Sequence, residues 1–312
     1  MYKPKILVTG GRGFLGQAVY KQLEPLSKVI AIGRDEADLR CHDQTNDILE
    51  YTDPDIIVHL AATVGGIGAN KENPGKFIEE NLIMGYNIIK LAKERNIKKF
   101  VMLGTVCAYP KHCPVPFKEE DLWNGYPEET NAPYGIAKKT LMQLVQSYHQ
   151  QYAFNGINLI PVNMYGPNDN FNPESSHVIP ALILKFQQAI DNGHEPVEIW
   201  GTGKASREFL YVDDCAEAIK LAILNCNEPD PTNIGTGKEI TIMELAQTIQ
   251  RIMGHKGSIW FNSEYPDGQP RRCLDTSKAK ERFDFEATTD FDTGLTKTIE
   301  WFRNDYSNSK WV

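Results

Sequence analysis

Tyr134 and Lys138, in the stretch "PYGIAKK", stand four residues apart at the head of an apolar-periodic run. A helix there carries phenol and ammonium on one face, and a cation so placed favours the tyrosinate. Bringing a phenol from about 10 to near neutrality takes about 4 kcal/mol, a size that a close cation and a second positive neighbour can supply. Such a pair can exchange a proton with a carbonyl oxygen. Thr105, in "LGTVCAYP", follows the strand-like run "KFVMLG", and from the carboxyl end of that strand its hydroxyl reaches the same oxygen. Two donors then converge on one acceptor, as the reduction of a ketone requires.

Reduction leaves Cys107, two residues beyond Thr105, without a task. If the polarised carbonyl belongs to a sugar, hydrogens on both neighbouring carbons are acidified, because the two donors also stabilise the enolate. A thiolate at that edge can remove one, and a cysteine becomes a usable base beside positive groups. Inversion at carbon then needs an acid on the opposite face. His177, in "NPESSHVIPALI", is the candidate, at the start of a helix after a polar loop. Packing for the cysteine and capping for the histidine are the structural alternatives.

These groups need a source of reducing equivalents. "TGGRGFLG" sets Gly10, Gly13 and Gly16 at three-residue spacing between a strand-like run and a helical one, which lets backbone amides at a helix N-terminus approach a pyrophosphate. The second strand-like run ends "AIGRDEADL", and the first side chain beyond Gly33 is Arg34, where an NAD site places an acid for the adenosine ribose. With Arg12 inside the glycine loop, two guanidiniums can clamp a 2′-phosphate, so NADP is expected over NAD. Pairing of Arg34 with Asp35 or Glu36 on a solvated loop is the alternative.

Strand-like and helical runs alternate from "KILVTG" through "GQAVYKQLEPL", "KVIAIG", "DIIVHL", "GKFIEENLIMGYNIIKLAKERN", "KFVMLG" and "TLMQLVQSYHQQY" to "INLIPV". That rhythm predicts an α/β fold: a doubly wound, Rossmann-type parallel sheet with the ligand beyond the strands' carboxyl ends, where the motifs fall. After Asn163 the pattern loosens into "YGPNDNFNPESSH" and shorter elements, with "TIMEL" (Thr241, Glu244) as a capping box. The expected division is a dinucleotide-binding domain over 1–163, completed by segments around 208–235, and a smaller C-terminal α/β domain over 164–312 that is mainly for substrate.

The 312 residues carry a net charge of −8, with 41% hydrophobic and 24% charged residues. No nucleic-acid partner is expected of such an acidic chain, and no apolar run is long enough for a membrane span. Six scattered cysteines, without a Cys-x-x-Cys pair, argue against a metal site or a disulfide framework. The N-terminus "MYKPKILVTG" has no signal-type segment, and a cytoplasmic location is expected.

"AATVGGIGAN", "LGTVCAYP", "YGIAKK", "NMYGPNDNF", "SHVIPALI", "WGTGKASREFLYVDD" and "PDGQPRR" closely resemble the GDP-L-fucose synthase family of extended short-chain dehydrogenase/reductases, over nearly the whole chain. That family epimerises GDP-4-keto-6-deoxy-mannose at C3 and C5 and reduces it at C4. The resemblance implies that Thr105, Tyr134 and Lys138 form the reductase set, with Cys107 the base and His177 the acid of epimerisation. It implies an NADP(H) site of Gly10, Gly11, Arg12, Gly13, Phe14, Leu15 and Gly16 in the loop, with Arg34, Asp38, Leu39, Ala61 and Ala62 beyond it. Leu103, Gly104, Lys138, Pro161, Asn163, Met164 and His177 complete that site. Asn163, Lys185, Trp200, Arg207, Asp267 and Arg272 are the implied holders of the GDP-sugar, and a homodimer through paired helices is implied as well. Two serines often stand where this chain has Thr105 and Val106, and arginine is frequent at Lys185, which puts binding strength in doubt more than reaction type. Three alternatives stay open: a reductase of another GDP-4-keto-6-deoxy sugar or heptose with little or no epimerase activity, a UDP-hexose 4-epimerase, and a catalytically silent redox sensor.

Overall fold

The computed structural model describes residues 3–306 except 266, so residues 1–2 and 307–312 and Pro266 of "PDGQPRR" lie outside the described residues. The first half alternates β1 (Lys5–Thr9), α1 (Phe14–Leu23), β2 (Lys28–Ile32), α2 (His42–Thr52), β3 (Ile56–His59), α3 (Ile67–Glu72), α4 (Pro74–Glu94), β4 (Lys99–Leu103), α5 (Ala132–Tyr152) and β5 (Gly156–Pro161). It continues through β6 (Asn163–Tyr165), α6 (Val178–Asp191), β7 (Val197–Trp200), β8 (Ser206–Tyr211), α7 (Val212–Asn225) and β9 (Thr232–Ile234). The remaining elements are β10 (Glu239–Thr241), α8 (Ile242–Met253), β11 (Ile259–Asn262), α9 (Ser277–Phe283) and α10 (Phe291–Tyr306).

Six parallel strands form the main sheet in the order β2-β1-β3-β4-β5-β9. The chain leaves β1 for β2 on one side and returns as β3 on the other, which opens a crevice at the carboxyl ends of β1 and β3. Register brings those ends level: Thr9 lies between Ile32 and His59, and His59 is beside Met102. Every residue of β4 and of β5 is buried, as expected of central strands covered on both faces.

Two hydrophobic cores flank the crevice. One gathers the main sheet with α1, α4, α5 and α7, and takes in Leu274, Phe283 and Phe285 from late in the chain. The other is built on α6, α8 and α10, with Phe209 and Tyr211 of β8 and Val197 and Ile199 of β7. Around it lie a three-stranded sheet, β10-β8-β6, and the parallel pair β11-β7. Val162 separates β5 from β6, so one stretch of chain serves the main sheet and then the second. The capping box forms as expected: Thr241 accepts from the Glu244 amide at 3.1 Å, and Glu244 accepts from the Thr241 amide at 2.9 Å.

Candidate active site

A cleft of about 1680 Å³ runs along the strand ends between the two cores. It is lined by every residue expected for chemistry, cofactor or substrate except Gly11, which packs against Ala31 of β2. Gly10 turns in the left-handed region (φ 66°), and a Cβ there would stand 2.8 Å from the Ala61 nitrogen, so only glycine allows this approach. Gly13 begins α1 without a side-chain cap, leaving the first-turn amides for a ligand. At the far end Arg12 pairs with Glu36, and Arg34 reaches Asp38 at 3.7 Å. Arg40, which sequence reasoning missed, holds Asp38 at 2.5 Å and Glu80 at 2.5 Å. Asp38 is therefore committed to guanidiniums, while Arg12 and Arg34 remain largely exposed, in weak pairs that a phosphate can replace.

Thr105 ends the loop after β4 and caps a 3-10 turn over Val106–Ala108: its Oγ1 accepts the Cys107 amide at 3.2 Å. That turn holds the Cys107 backbone against the hydroxyl. Gly135 of α5 lies so close that a Cβ there would strike the Cys107 carbonyl, which presses the helix bearing Tyr134 onto the cysteine segment. Burial raises the Tyr134 phenol, negative charge at Cys107 adds to this, and a hydrogen bond with Thr105 works against it. Lys138 is buried and pushed down to about 8 by that burial, and its Nζ donates to the Leu103 carbonyl at 3.0 Å. In the chain by itself burial outweighs the pull of Lys138 on the phenol, and the expected shift toward neutrality calls for a second positive group beside it. At about 8, Lys138 is still largely an ammonium at neutral pH, while burial keeps the Tyr134 phenol protonated, in the form that can give a proton away.

His177 stands at the first turn of α6 without acting as a side-chain cap. The surrounding protein, and then Arg272, hold its imidazole below the usual histidine range. Arg272 also donates to the Cys107 sulfur at 3.7 Å and to Gln269 Oε1 at 3.1 and 3.2 Å. Arg207 is buried, gives its hydrogen bonds to the carbonyls of Ser206, Gln269 and Asp267, and is lowered to about 10 by burial and by Arg272. Among the described residues no carboxylate forms an ion pair with either guanidinium, which leaves both charges available to an anion at this end of the cleft. Lys185 donates to the Glu198 carbonyl at 3.1 Å and lies 5.2 Å from the centre of the Trp200 ring, which stacks on Tyr265 at 4.3 Å. Asp267 lines the cleft, but its carboxylate accepts the Thr202 amide and hydroxyl at 2.7 Å each and ties down the turn after Trp200.

His59 was also missed. It ends β3, pairs with the Thr9 hydroxyl at 2.8 Å, and is pushed down to about 3 by burial and then by Lys138. Its only trace in the sequence is a polar residue closing the apolar run "DIIVHL". Cys113, by contrast, is pushed up to about 12 by burial and by Asp121, which makes it an inert thiol.

Residues 6–235 match the model of the NAD dependent epimerase/dehydratase family. The GDP-L-fucose synthase of Escherichia coli (strain K12) is 38% identical, with 97% of each chain aligned. The GDP-L-colitose synthase of Yersinia pseudotuberculosis is 37% identical over 97% of this chain and 99% of its own. Among solved structures, a GDP-L-fucose synthetase from Naegleria fowleri bound to NADP superposes with a TM-score of 0.90 at 29% identity, covering 99% of this chain and 97% of that one. A GDP-6-OMe-4-keto-L-xylo-heptose reductase from C. jejuni superposes at 0.91 with 28% identity, covering 98% and 99%. With its glycine loop, Tyr134–Lys138 pair and near-complete alignment, the chain belongs to the NAD dependent epimerase/dehydratase family, on the branch that includes the GDP-L-fucose synthases.

Proposed function

We propose that the protein inverts GDP-4-keto-6-deoxy-D-mannose at C3 and C5 and reduces it at C4, forming GDP-L-fucose with NADP(H) as cofactor. One observation carries this reading: a cysteine, held by Arg272, stands inside a ketone-reducing set. The glycine loop and the uncapped α1 N-terminus suit a pyrophosphate, and Arg12 and Arg34 suit a 2′-phosphate. NADPH, when bound, supplies the reducing equivalent for C4.

Thr105 and Tyr134 donate to O4 of the sugar. Cys107, as thiolate, takes the proton from the carbon beside the ketone, and the electron pair moves onto O4, where both donors hold it. His177, protonated from solvent, returns a proton to the opposite face; Cys107 gives its proton up to solvent and His177 takes one back, and the exchange is repeated at the second carbon. Tyr134 then protonates O4 as C4 is reduced, with Lys138 beside it to stabilise the charge left on the phenol. Arg207 and Arg272 receive the pyrophosphate, with Lys185, Trp200, Asp267 and Asn163 around the rest of the nucleotide-sugar.

We take residues 1–163, with segments around 208–235, as the cofactor lobe and 164–312 as mainly the substrate lobe, a division that the two hydrophobic cores support. The homodimer pairs through α4 and α5, where an apolar groove lies between Leu82, Ile83, Tyr86 and Leu144, with Ile83 and Tyr86 37% and 48% exposed. No described helix is long and apolar enough to cross a membrane, and neither a membrane nor a nucleic acid enters this reading. A reducing cytoplasm suits it, since Cys107 must remain a thiol.

The test is to follow NADPH oxidation with GDP-4-keto-6-deoxy-mannose and determine the product's configuration at C3 and C5. A likeness to the heptose reductase supports a second reading, reduction of a related GDP-4-keto sugar without inversion. A C4-reduced product with its original configuration would establish that reading instead.

A further inference from the structure

Asn131 stands three residues before Tyr134 and seven before Lys138, so the start of α5 carries all three on one face. Asn131 and Glu128 line the same cleft as Cys107 and Tyr134. The Asn131 side chain has one orientation available. Its Nδ2 donates to Glu128 Oε2 at 2.8 Å and to Thr130 Oγ1 at 3.3 Å, which uses both amide hydrogens and directs Oδ1 away from them. Glu128 is fixed in turn, accepting the Thr130 hydroxyl at 2.6 Å and the amides of Thr130 and Asn131 at 3.3 Å each. Burial favours its neutral form, but these hydrogen bonds outweigh burial and hold its carboxyl below the usual range, so it stays an acceptor. Asn131 Oδ1 is not among the buried side-chain atoms that lack a partner. It is a fixed carbonyl acceptor one helical turn from the phenol.

We propose that Asn131, locked by Glu128, accepts a hydrogen bond from the hydroxyl on C3 of the 4-keto sugar and so determines which sugars the site turns over. This rests on the reading that Tyr134 holds O4 of a GDP-4-keto sugar. Of the two carbons flanking C4, C3 carries a hydroxyl and C5 a methyl group. A rigid carbonyl acceptor matches the first and would be left unpaired against the second. Holding that hydroxyl also fixes the C3–H bond relative to Cys107. Asn131 is thus a specificity residue that touches substrate, and Glu128 is a positioning residue that acts through it.

The experiment compares wild type, Asn131→Ala and Glu128→Gln on GDP-4-keto-6-deoxy-mannose and on its counterpart lacking the 3-hydroxyl, with NADPH affinity measured for each protein. Wild type should prefer the hydroxyl-bearing sugar by about 10–100-fold in kcat/KM. Asn131→Ala should bring that preference to within about 3-fold by losing activity on the first sugar alone, with NADPH affinity unchanged. Glu128→Gln should fall between, and both variants should lose solvent deuterium uptake at C3 more than at C5. Equal losses on both sugars, weakened NADPH binding, or unaltered C3 exchange would show a merely structural role and overturn the proposal. A wild type that reduces neither sugar would overturn the functional reading and this inference together, whereas an active wild type with equal losses overturns only the inference.

Discussion

Arg272 ties two side chains of opposite task together. It donates to the Cys107 sulfur and adds to the burial that lowers the imidazole of His177, so in the proposed reaction a negative charge developing on sulfur would be held while a proton on His177 would be easy to release. Cys107→Ala should therefore abolish proton exchange at C3 and C5 while NADPH affinity, measured by fluorescence titration, stays within about 2-fold, since no cofactor contact is lost. Lys138 carries a stability cost that its function requires. Its folded value of about 8 lies below the ordinary 10.5, so between those values the unfolded chain binds a proton that the folded one does not. Stability thus rises from pH 8 to 10.5, and the penalty is fully present below 8. Lys138→Met should be more stable to urea at pH 7, by about 1–3 kcal/mol, and inactive, whereas a lower urea midpoint would contradict this. At this scale the groups proposed for chemistry, which line one cleft, stood out in the sequence because a thiol two residues after the hydroxyl has no use in reduction alone. The bond from Arg272 to Cys107 did not, since 165 residues separate the partners and neither carries a local signal of the other.

The strand ends act as a jig. β1, β3 and β4 bring Thr9, His59 and Leu103 to one edge, and the Thr9 hydroxyl meets both His59 and, at 3.3 Å, the amide of Ala61 beneath the glycine turn. His59 is buried neutral, with a folded value of about 3 against 6.5. The unfolded chain therefore takes up the extra proton as pH falls from 6.5 toward 3, and stability is lost over that window at up to about 1.4 kcal/mol per pH unit. Urea midpoints measured between pH 7 and 4 should fall more steeply for wild type than for His59→Asn, and parallel slopes would contradict the assignment. The long amphipathic elements were readable from period alone, among them α4, α6 and the capped α8. α2 escaped because "HDQTNDILEYT" buries only Thr45, Leu49 and Thr52, which leaves too few apolar positions to show a helical period. α5 starts earlier than its apolar pattern suggests, at Ala132, since its first turn faces the cleft and carries chemistry instead of core.

At the scale of the whole molecule, the cleft exists because one chain builds two cores and threads between them. β9 returns to extend the main sheet, and Leu274 returns to the first core, which carries Arg272 across to Cys107 on the way. The alternation of strands and helices announced the first core, and the expected contribution from around 208–235 covers β9, whereas the return of Leu274 is set by long-range pairing that local pattern does not encode. The apolar groove on α4 and α5 predicts a dimer. Light scattering should give twice the 35.2 kDa of one chain, and Tyr86→Glu should give monomers, while a wild type already monomeric at micromolar concentration would contradict this pairing. The central claim is that one grip on O4 serves both carbanion formation and reduction. It is tested most directly by running the reaction in deuterated water and reading the GDP-sugar product by NMR. Deuterium at both C3 and C5 in wild type, lost from both in Cys107→Ala, is the predicted result. A C4-reduced product free of label at either carbon would contradict it.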